Sequence, residues 1–355
     1  MVFNFNLLEN IEVELSNRCQ AKCPMCSRNF HGGIENNLFK KTDWTLEEFK
    51  EIFNFEVLSQ IKSINFCGGL GDPLMVRDFD LIMKYLLDHS ETTQIFIHTN
   101  GSLRNVDFWK KLPNQLPKNH TVYFGIDGFE DTHSLYRVGT DWKKIIENSS
   151  AFIKNGGRAA ARFIVFKHNE HQFDELKKFL IDEIGFVEVF KTYTKRFKNG
   201  NKFPVVDSNG KIKYYLEKSE NNLYGVTDQQ LGNLVHFVKK KDLDIQRVCE
   251  SLNIKKIYID ADKNLFPCCY TATNRYELEK IGESNWNEIL PTVRFEIEDI
   301  ISELAAKNLV SLKNNSIKNI INDPMYYTTW KTYWNKKSLM VCSLCCGINN
   351  ITPLI

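Results

Sequence analysis

Three cysteines fall close together in the run Cys19-Gln20-Ala21-Lys22-Cys23-Pro24-Met25-Cys26. Thiolates suit soft metals, and a cubane iron–sulfur cluster has four irons. Three clustered thiolates therefore hold it while one iron stays open to a substrate or cofactor. Zinc asks for four ligands, and an electron carrier more usually closes its fourth position. The spacing favours a catalytic cluster over zinc, plain electron transfer or a noncatalytic scaffold.

Six further cysteines, Cys249, Cys268, Cys269, Cys342, Cys345 and Cys346, fall in the last third of the chain. Cys249 and Cys268 bracket a short expected hairpin, and Cys342-Ser343-Leu344-Cys345 supplies a close pair. Four thiolates gathered this way complete the coordination of a second metal centre, with structural zinc as the alternative to a cluster. Such tight grouping in a long chain argues for metal-bound thiolates over disulfides. Cys67 lacks a partner at ligand spacing and reads as a buried free thiol behaving as a small hydrophobe.

The elements that must position these residues alternate between strand and helix up to about residue 190. Strands are expected at 11–15, 61–66, 94–98, 121–126, 160–166 and 186–190. A capping box at Thr45 and Glu48 starts one helix, and others are expected at 78–89, 105–112, 142–154 and 171–181. Six (βα) units imply a parallel sheet covered by helices, and such a sheet can curl into a partial barrel. Past Lys191 the chain is more polar, with turns at Asn199-Gly200 and Asn209-Gly210 and helical character at 227–239. Strands at 254–259 and 265–266 flank an Asp260 to Asn264 turn, and two or three helices follow between Trp286 and Trp334. The aromatic group Tyr326, Tyr327, Trp330, Tyr333 and Trp334 reads as packing rather than pocket lining. These shifts divide the chain into a core at 1–190, a linker and substrate-pocket segment at 191–244, and a cysteine-bearing domain at 245–355.

CxxxCxxC at the end of the first strand of such a series resembles the radical S-adenosylmethionine enzymes. The resemblance implies a partial (β/α)6 barrel core and a 4Fe-4S cluster on Cys19, Cys23 and Cys26. Its open iron would be chelated by the amino and carboxylate groups of S-adenosyl-L-methionine, whose one-electron reduction gives methionine and a 5′-deoxyadenosyl radical. The run Cys67 to Pro73 is similar to the family's glycine-rich, acid-containing segment, with Asp72 in place of the commoner glutamate. Gly69 and Gly71 would let the main chain approach the methionyl amino group and Asp72 would orient it. Thr99 and Asn100, ending the third strand, are placed for the ribose or the methionyl carboxylate. Phe124 to Gly128, followed by His133, Tyr136 and Arg137, resembles members that carry extra clusters. Asp127 would face substrate, with helix capping as the alternative. Arg162 would pair with the cofactor carboxylate, with a structural ion pair as its alternative.

The last segment resembles the shortened auxiliary-cluster domain called twitch, related to the larger SPASM domain. Cys249, Cys268, Cys342 and Cys345 reproduce its spacing and imply a second, auxiliary 4Fe-4S cluster. The choices between Cys268 and Cys269, and between Cys345 and Cys346, stay open. Lys263 stands where glycine is usual.

A carbon radical of this kind demands exclusion of water and a fixed target C–H. Two substrate classes follow from the resemblance: a ribosomally made peptide, preferred here, or a small sugar, polyol or nucleoside-like metabolite undergoing dehydrogenation or rearrangement. The implied partners are a flavodoxin- or ferredoxin-type reductant and, for a peptide, an external recognition protein, since only ten residues precede the first strand.

The 355 residues suffice for one large α/β domain and a smaller one, and a hydrophobic fraction of 43% with 25% charged residues excludes disorder. The 46 basic and 44 acidic residues leave a formal charge of only +2, too little to recruit nucleic acid or an anionic membrane. Lys239-Lys240-Lys241 reads as a solvated helix face. Met1 to Asn10 carries no signal-peptide pattern and no run approaches the roughly 20 apolar residues of a membrane span, so the expected location is cytoplasmic.

Overall fold

The computed structural model describes residues 3–38, 40–90, 93–194, 196–197, 201–221, 250–273 and 297–337. Cys249, Cys342, Cys345, Cys346, the Asn199-Gly200 turn, the helical stretch at 227–239 and the side chains of Tyr333 and Trp334 lie outside the described residues.

Twelve strands are described: β1 (Asn10–Val13), β2 (Asn29–Phe30), β3 (Ile34–Glu35), β4 (Ser63–Phe66), β5 (Gln94–Thr99), β6 (His120–Gly125), β7 (Ala159–Val165), β8 (Glu188–Tyr193), β9 (Lys202–Val206), β10 (Ile212–Glu217), β11 (Lys256–Ile259) and β12 (Leu265–Phe266). Eight form one sheet in the order β12-β11-β1-β4-β5-β6-β7-β8. The six strands of the (βα) series run parallel and lie side by side in chain order, as short crossover units require. Among the described residues the two ends of the sheet do not pair, so the sheet is not a closed barrel.

Pleating sends alternate residues to opposite faces. Ile11, Val13, Ile64, Phe66, Ile95, Ile97, Val122, Phe124, Ala161 and Phe163 are fully buried on the helix-covered face. Ring contacts of Phe66 with Phe49 and Phe79, and of Phe124 with Trp109 and Phe152, tie that face to four helices. The opposite face carries Glu12, Asn65, Phe96, His98, Tyr123 and Arg162. A doubly covered parallel sheet is apolar on both sides, so this polar face marks where chemistry is to be sought.

The helices form for local reasons. Thr45 and Glu48 complete the expected capping box of Leu46–Ile52, Asn105 caps Val106–Lys111 and Asp141 caps Trp142–Lys154. The helix expected at 171–181 is Phe173–Lys178, continued as a wider turn through Phe179–Ile184 and ended by Gly185 at φ 97°.

The hairpin of β11 and β12 extends the core sheet directly. β11 pairs in parallel with β1, and β12 folds back antiparallel on β11. Lys263, in the turn, takes the left-handed φ of 66° that glycine adopts freely. Its ammonium is buried, pairs with Glu48 at 2.6 Å and lies 5.8 Å from the centre of the Trp44 ring. These contacts fix a side chain that glycine would lack. Ile257, Ile259, Phe266, Ile317, Tyr326 and Trp330 join the same apolar core as β1 and β4. Tyr326, Tyr327 and Trp330 are therefore packing residues.

Because that core crosses residue 245, Ile259→Ala should cost about 2–5 kcal/mol. It should also lower one common unfolding transition of the protein in denaturant. A separate early transition with the remaining midpoint unchanged would show that the hairpin is not part of the central sheet's cooperative unit.

Candidate active site

β1 leads through Glu14, Leu15 and Ser16 into the cysteine loop. Arg28 is buried behind this loop, donating from Nη1 to the Cys19 carbonyl at 2.8 Å and from Nη2 to the Ala21 carbonyl. Lys22 N–H bonds the Val138 carbonyl and Cys26 N–H the Cys23 carbonyl. On its other side the loop is covered by the β9–β10 hairpin, where Met25, Tyr136, Phe166, Phe197, Phe203, Val205 and Leu216 form a second apolar cluster against Cys23. Arg196 donates to the Met25 carbonyl at 2.7 Å. The loop is thus held by its main chain and by Met25.

Asn100 Nδ2 lies 3.6 Å from Cys19 Sγ, a donor aimed at sulfur. Burial, aided by Asp72, pushes the Cys19 thiol up to about 12, and burial also raises Cys23 against the charge of Arg137. Thiolates here need a compensating positive charge, which iron brings, and loading releases protons. The donor types fit a thiolate-held cluster, with three sulfurs on one pinned loop, an amide on one sulfur and a guanidinium near another, but the three sulfurs are not gathered at metal-holding spacing. Among the described residues no three His, Cys, Asp or Glu side chains stand gathered at metal-holding spacing.

Asp72 is buried, and its carboxylate accepts four donors: Leu74 N, Thr99 Oγ1, Asn100 N at 2.8 Å and Asn100 Nδ2 at 2.7 Å. It ties the glycine segment to the end of β5. Thr99 is engaged in the same network through Gly101 N–H, and Asn100 Oδ1 accepts from Gln20 and Ser102. Gly71 is required by close approach, since a Cβ there would stand 1.8 Å from the Ser16 carbonyl oxygen. A Cβ on Gly69 would meet the Tyr258 hydroxyl at 2.8 Å.

Glu14 was not singled out from sequence. Its Oε1 accepts from Leu70 N and from Gly71 N at 2.8 Å, and its Oε2 from the Tyr258 hydroxyl at 3.0 Å. Alternation of Glu12 and Glu14 with apolar residues in a buried strand was the available signal, because buried carboxyls require partners. Burial raises Glu14 to about 7 despite these donors.

The substrate-facing role expected for Asp127 does not fit the structure. Asp127 is fully buried, with Oδ2 on Arg137 Nε at 2.6 Å and Oδ1 on Ile164 N at 2.6 Å, and its carbonyl accepts from Asn169. Helix capping is also ruled out, since Phe129 is the N-cap of Glu130–Tyr136 and makes no side-chain cap bond. Asp127 instead anchors Arg137. Burial opposes the Arg137 charge, but Asp127 outweighs it and keeps the guanidinium protonated. That guanidinium lies over Gly125, where a Cβ would be 2.7 Å from Cζ, and its charge reaches Cys23. Arg162 is placed differently: it is exposed on β7 with Cζ 5.0 Å from the centre of the Tyr123 ring. Of the two arginines, Arg137 is the one beside the cysteine loop.

Cys268 and Cys269 follow β12 at the start of the helix Cys269–Thr273. Their potential reaches Lys256, whose ammonium burial would lower but whose pairing with Glu12 at 2.8 Å holds it up. Cys67 faces the same region: burial drives its thiol well up, and Glu12, Glu14 and Cys269 add to the rise. It is buried, as expected, but not isolated from the hairpin thiols.

Residues 13–180 match the sequence model of the Radical SAM superfamily. The GTP 3′,8-cyclase of Campylobacter jejuni subsp. doylei is 23% identical over 291 residues, covering 73% of this chain and 80% of that protein. Among solved structures, anSMEcpe with bound AdoMet is 17% identical, covers 98% of this chain and 96% of its own, and superposes with a TM-score of 0.48. Streptococcus suis SuiB bound to S-adenosylmethionine is 14% identical with a TM-score of 0.49; the match covers 74% of this chain but only 60% of SuiB, less than two thirds of its length. The matched segment carries the cysteine loop and β4 to β7 of the (βα) series, and this chain is a radical S-adenosylmethionine enzyme. Its residues 13–180 belong to the Radical SAM superfamily. When bound, the cluster and S-adenosylmethionine would supply the electron and the 5′-deoxyadenosyl radical; the chain pins the loop and orients donors.

The raised Glu14 pKa has a defined effect on stability. Its ordinary value is 4.5 and its folded value about 7, so the folded state holds the proton more tightly than the unfolded chain. The associated stability is full below about pH 4.5, falls as pH rises towards 7 and is constant above, by on the order of 3 kcal/mol in all. Glu14→Gln, permanently neutral, should gain thermal stability relative to the parent across that window and hold the gain at higher pH. Parallel melting curves for the two proteins from pH 4.5 to 8 would remove Glu14 from this role.

Proposed function

We propose that this enzyme directs its 5′-deoxyadenosyl radical at a carbon of a small, polar, sugar-, polyol- or nucleoside-like metabolite, in a dehydrogenation or rearrangement. The observation that carries this is the sheet face opposite the helices, where Glu12, His98, Tyr123, Arg162 and Lys256 stand on neighbouring strands. Clustered charges and hydroxyl-bearing rings suit a compact polar molecule. The similarity to GTP 3′,8-cyclase, a protein named for a nucleotide, supports the same class over the peptide expected from sequence.

In this reading Cys19, Cys23 and Cys26 hold the catalytic cluster. The main chain of Gly69 and Gly71, the Asn100 side chain and the Arg137 guanidinium face the amino acid end of S-adenosylmethionine, while Asp72 and Thr99 hold that wall in place. A flavodoxin- or ferredoxin-type protein delivers the electron. Cys249, Cys268, Cys342 and Cys345 bind an auxiliary 4Fe-4S cluster in a twitch-like region.

The reduced, anaerobically reconstituted protein should transfer deuterium from a deuterated sugar or nucleotide into 5′-deoxyadenosine, as read by mass spectrometry. Label arriving only from peptides would overturn the small-substrate reading. Separately, iron analysis should give about eight irons per chain and about four in a Cys342→Ala, Cys345→Ala double variant, one cubane each. A parent value near four would remove the auxiliary cluster.

A further inference from the structure

Three adjacent parallel strands, β5, β6 and β7, place His98, Tyr123 and Arg162 on the face opposite the helices. The rings of His98 and Tyr123 are stacked, with centroids 4.6 Å apart and planes within 6° of parallel. The Arg162 Cζ lies 5.0 Å from the Tyr123 centroid. Strands in a sheet are about 4.8 Å apart, so the pairing itself sets the spacing of these layers. Phe96 and Phe190 flank the Tyr123 ring at 6.1 and 5.9 Å.

The stack carries a single charge. Burial, with the charge of Arg162 adding to it, lowers His98 to about 3, so its imidazole is neutral at physiological pH. The other cations nearby are matched by carboxylates: Lys256 by Glu12 at 2.8 Å and Arg137 by Asp127 at 2.6 Å. Arg162 makes no ion pair and no side-chain hydrogen bond with another described residue, and it is exposed. A guanidinium laid on an aromatic ring has lost much of its freedom while its donors stay available. Its planar fork matches the two oxygens of a carboxylate or phosphate.

Position separates Arg162 from the cofactor end. It stands in register with Gly125, the residue that Arg137 covers, and with Phe190 on the outermost strand β8. Arg137 serves the cysteine-loop side, and Arg162 is the next cation towards the open edge of the sheet.

We infer that Arg162, lying over the Tyr123 ring on which His98 stacks, is the recognition point for an oxyanion group, phosphate or carboxylate, carried by the small substrate. The assignment rests on the small-substrate reading and replaces the cofactor-carboxylate role expected from sequence. A neutral sugar or polyol would leave this cation unmatched, so the substrate class narrows to phosphorylated or carboxylated metabolites.

The test is calorimetric titration of the cluster-loaded protein, with S-adenosylmethionine present, using inorganic pyrophosphate and malonate as probes. At least one should bind saturably, and the tighter of the two identifies the oxyanion. Arg162→Gln should weaken that binding about tenfold, as removal of one charge-assisted fork contact does. Arg162→Lys should restore part of it, Tyr123→Leu should weaken it several-fold, and Lys213→Gln on the β9–β10 hairpin should leave it unchanged. Affinity for S-adenosylmethionine should stay within about twofold in Arg162→Gln, since the fork is assigned to a different ligand. Absence of saturable binding of both probes, equal affinity in Arg162→Gln, or a tenfold loss of S-adenosylmethionine affinity would each overturn the assignment. Those outcomes leave the small-substrate reading to the deuterium experiment, whereas label from peptides alone, with probe binding intact, ends that reading and keeps the anion site.

Discussion

A buried carboxyl, Glu14, stands where three separately encoded pieces of chain meet: the exit of β1, the glycine segment and the β11–β12 hairpin. One oxygen receives two main-chain N–H groups of the glycine segment, and the other receives the Tyr258 hydroxyl. Gly69 and Gly71 must lack side chains because Tyr258 and Ser16 already occupy that space. The cysteine loop therefore begins from a point fixed on both flanks. A few residues on, Arg28 fixes the loop's carbonyls and leaves its sulfurs free for metal.

The parallel series was legible because its signal is local. Apolar alternation, capping residues and short connections specify each (βα) unit, and chain order then specifies neighbours. Cys19, Cys23 and Cys26 were legible for the same reason, being close in sequence. Arg28, Glu14 and Tyr258 were not, because their partners are backbone groups or residues that only the sheet brings near. Asp127 shows the complementary failure. An acidic residue at the end of a central strand suggests catalysis, yet its charge is neutralised by an arginine ten positions later, and nothing in the local pattern distinguishes the two cases.

Lys263 illustrates how an unfavourable local choice can be offset by tertiary contacts. A lysine in a left-handed turn costs conformational energy that glycine avoids. Here the turn sits against Trp44 and Glu48, so the same side chain that strains the backbone joins the hairpin to the first helix of the core. The hairpin carrying Cys268 and Cys269 is thereby attached to the catalytic sheet by several routes, among them the β1 ladder, the Glu14–Tyr258 bond, the Lys256–Glu12 pair and the Lys263–Glu48 pair.

The division of charge across that face follows from what each arginine rests on. Arg137 is clamped by a carboxylate, so its net field is partly cancelled and it acts over short range, at the cysteine loop beside it. Arg162 rests on neutral rings, which orient a cation without neutralising it. Glu12 acts on it only from a distance, its donors are available, and it lies towards the β8 edge of the sheet. A substrate anion held there would be kept apart from Arg137, so cofactor and substrate would not compete for the same cation. Exchanging the two supports would abolish that separation, since an arginine paired with a carboxylate near the edge would no longer select for anions. Selectivity at this proposed site would thus depend on an aromatic rather than an acidic neighbour for Arg162.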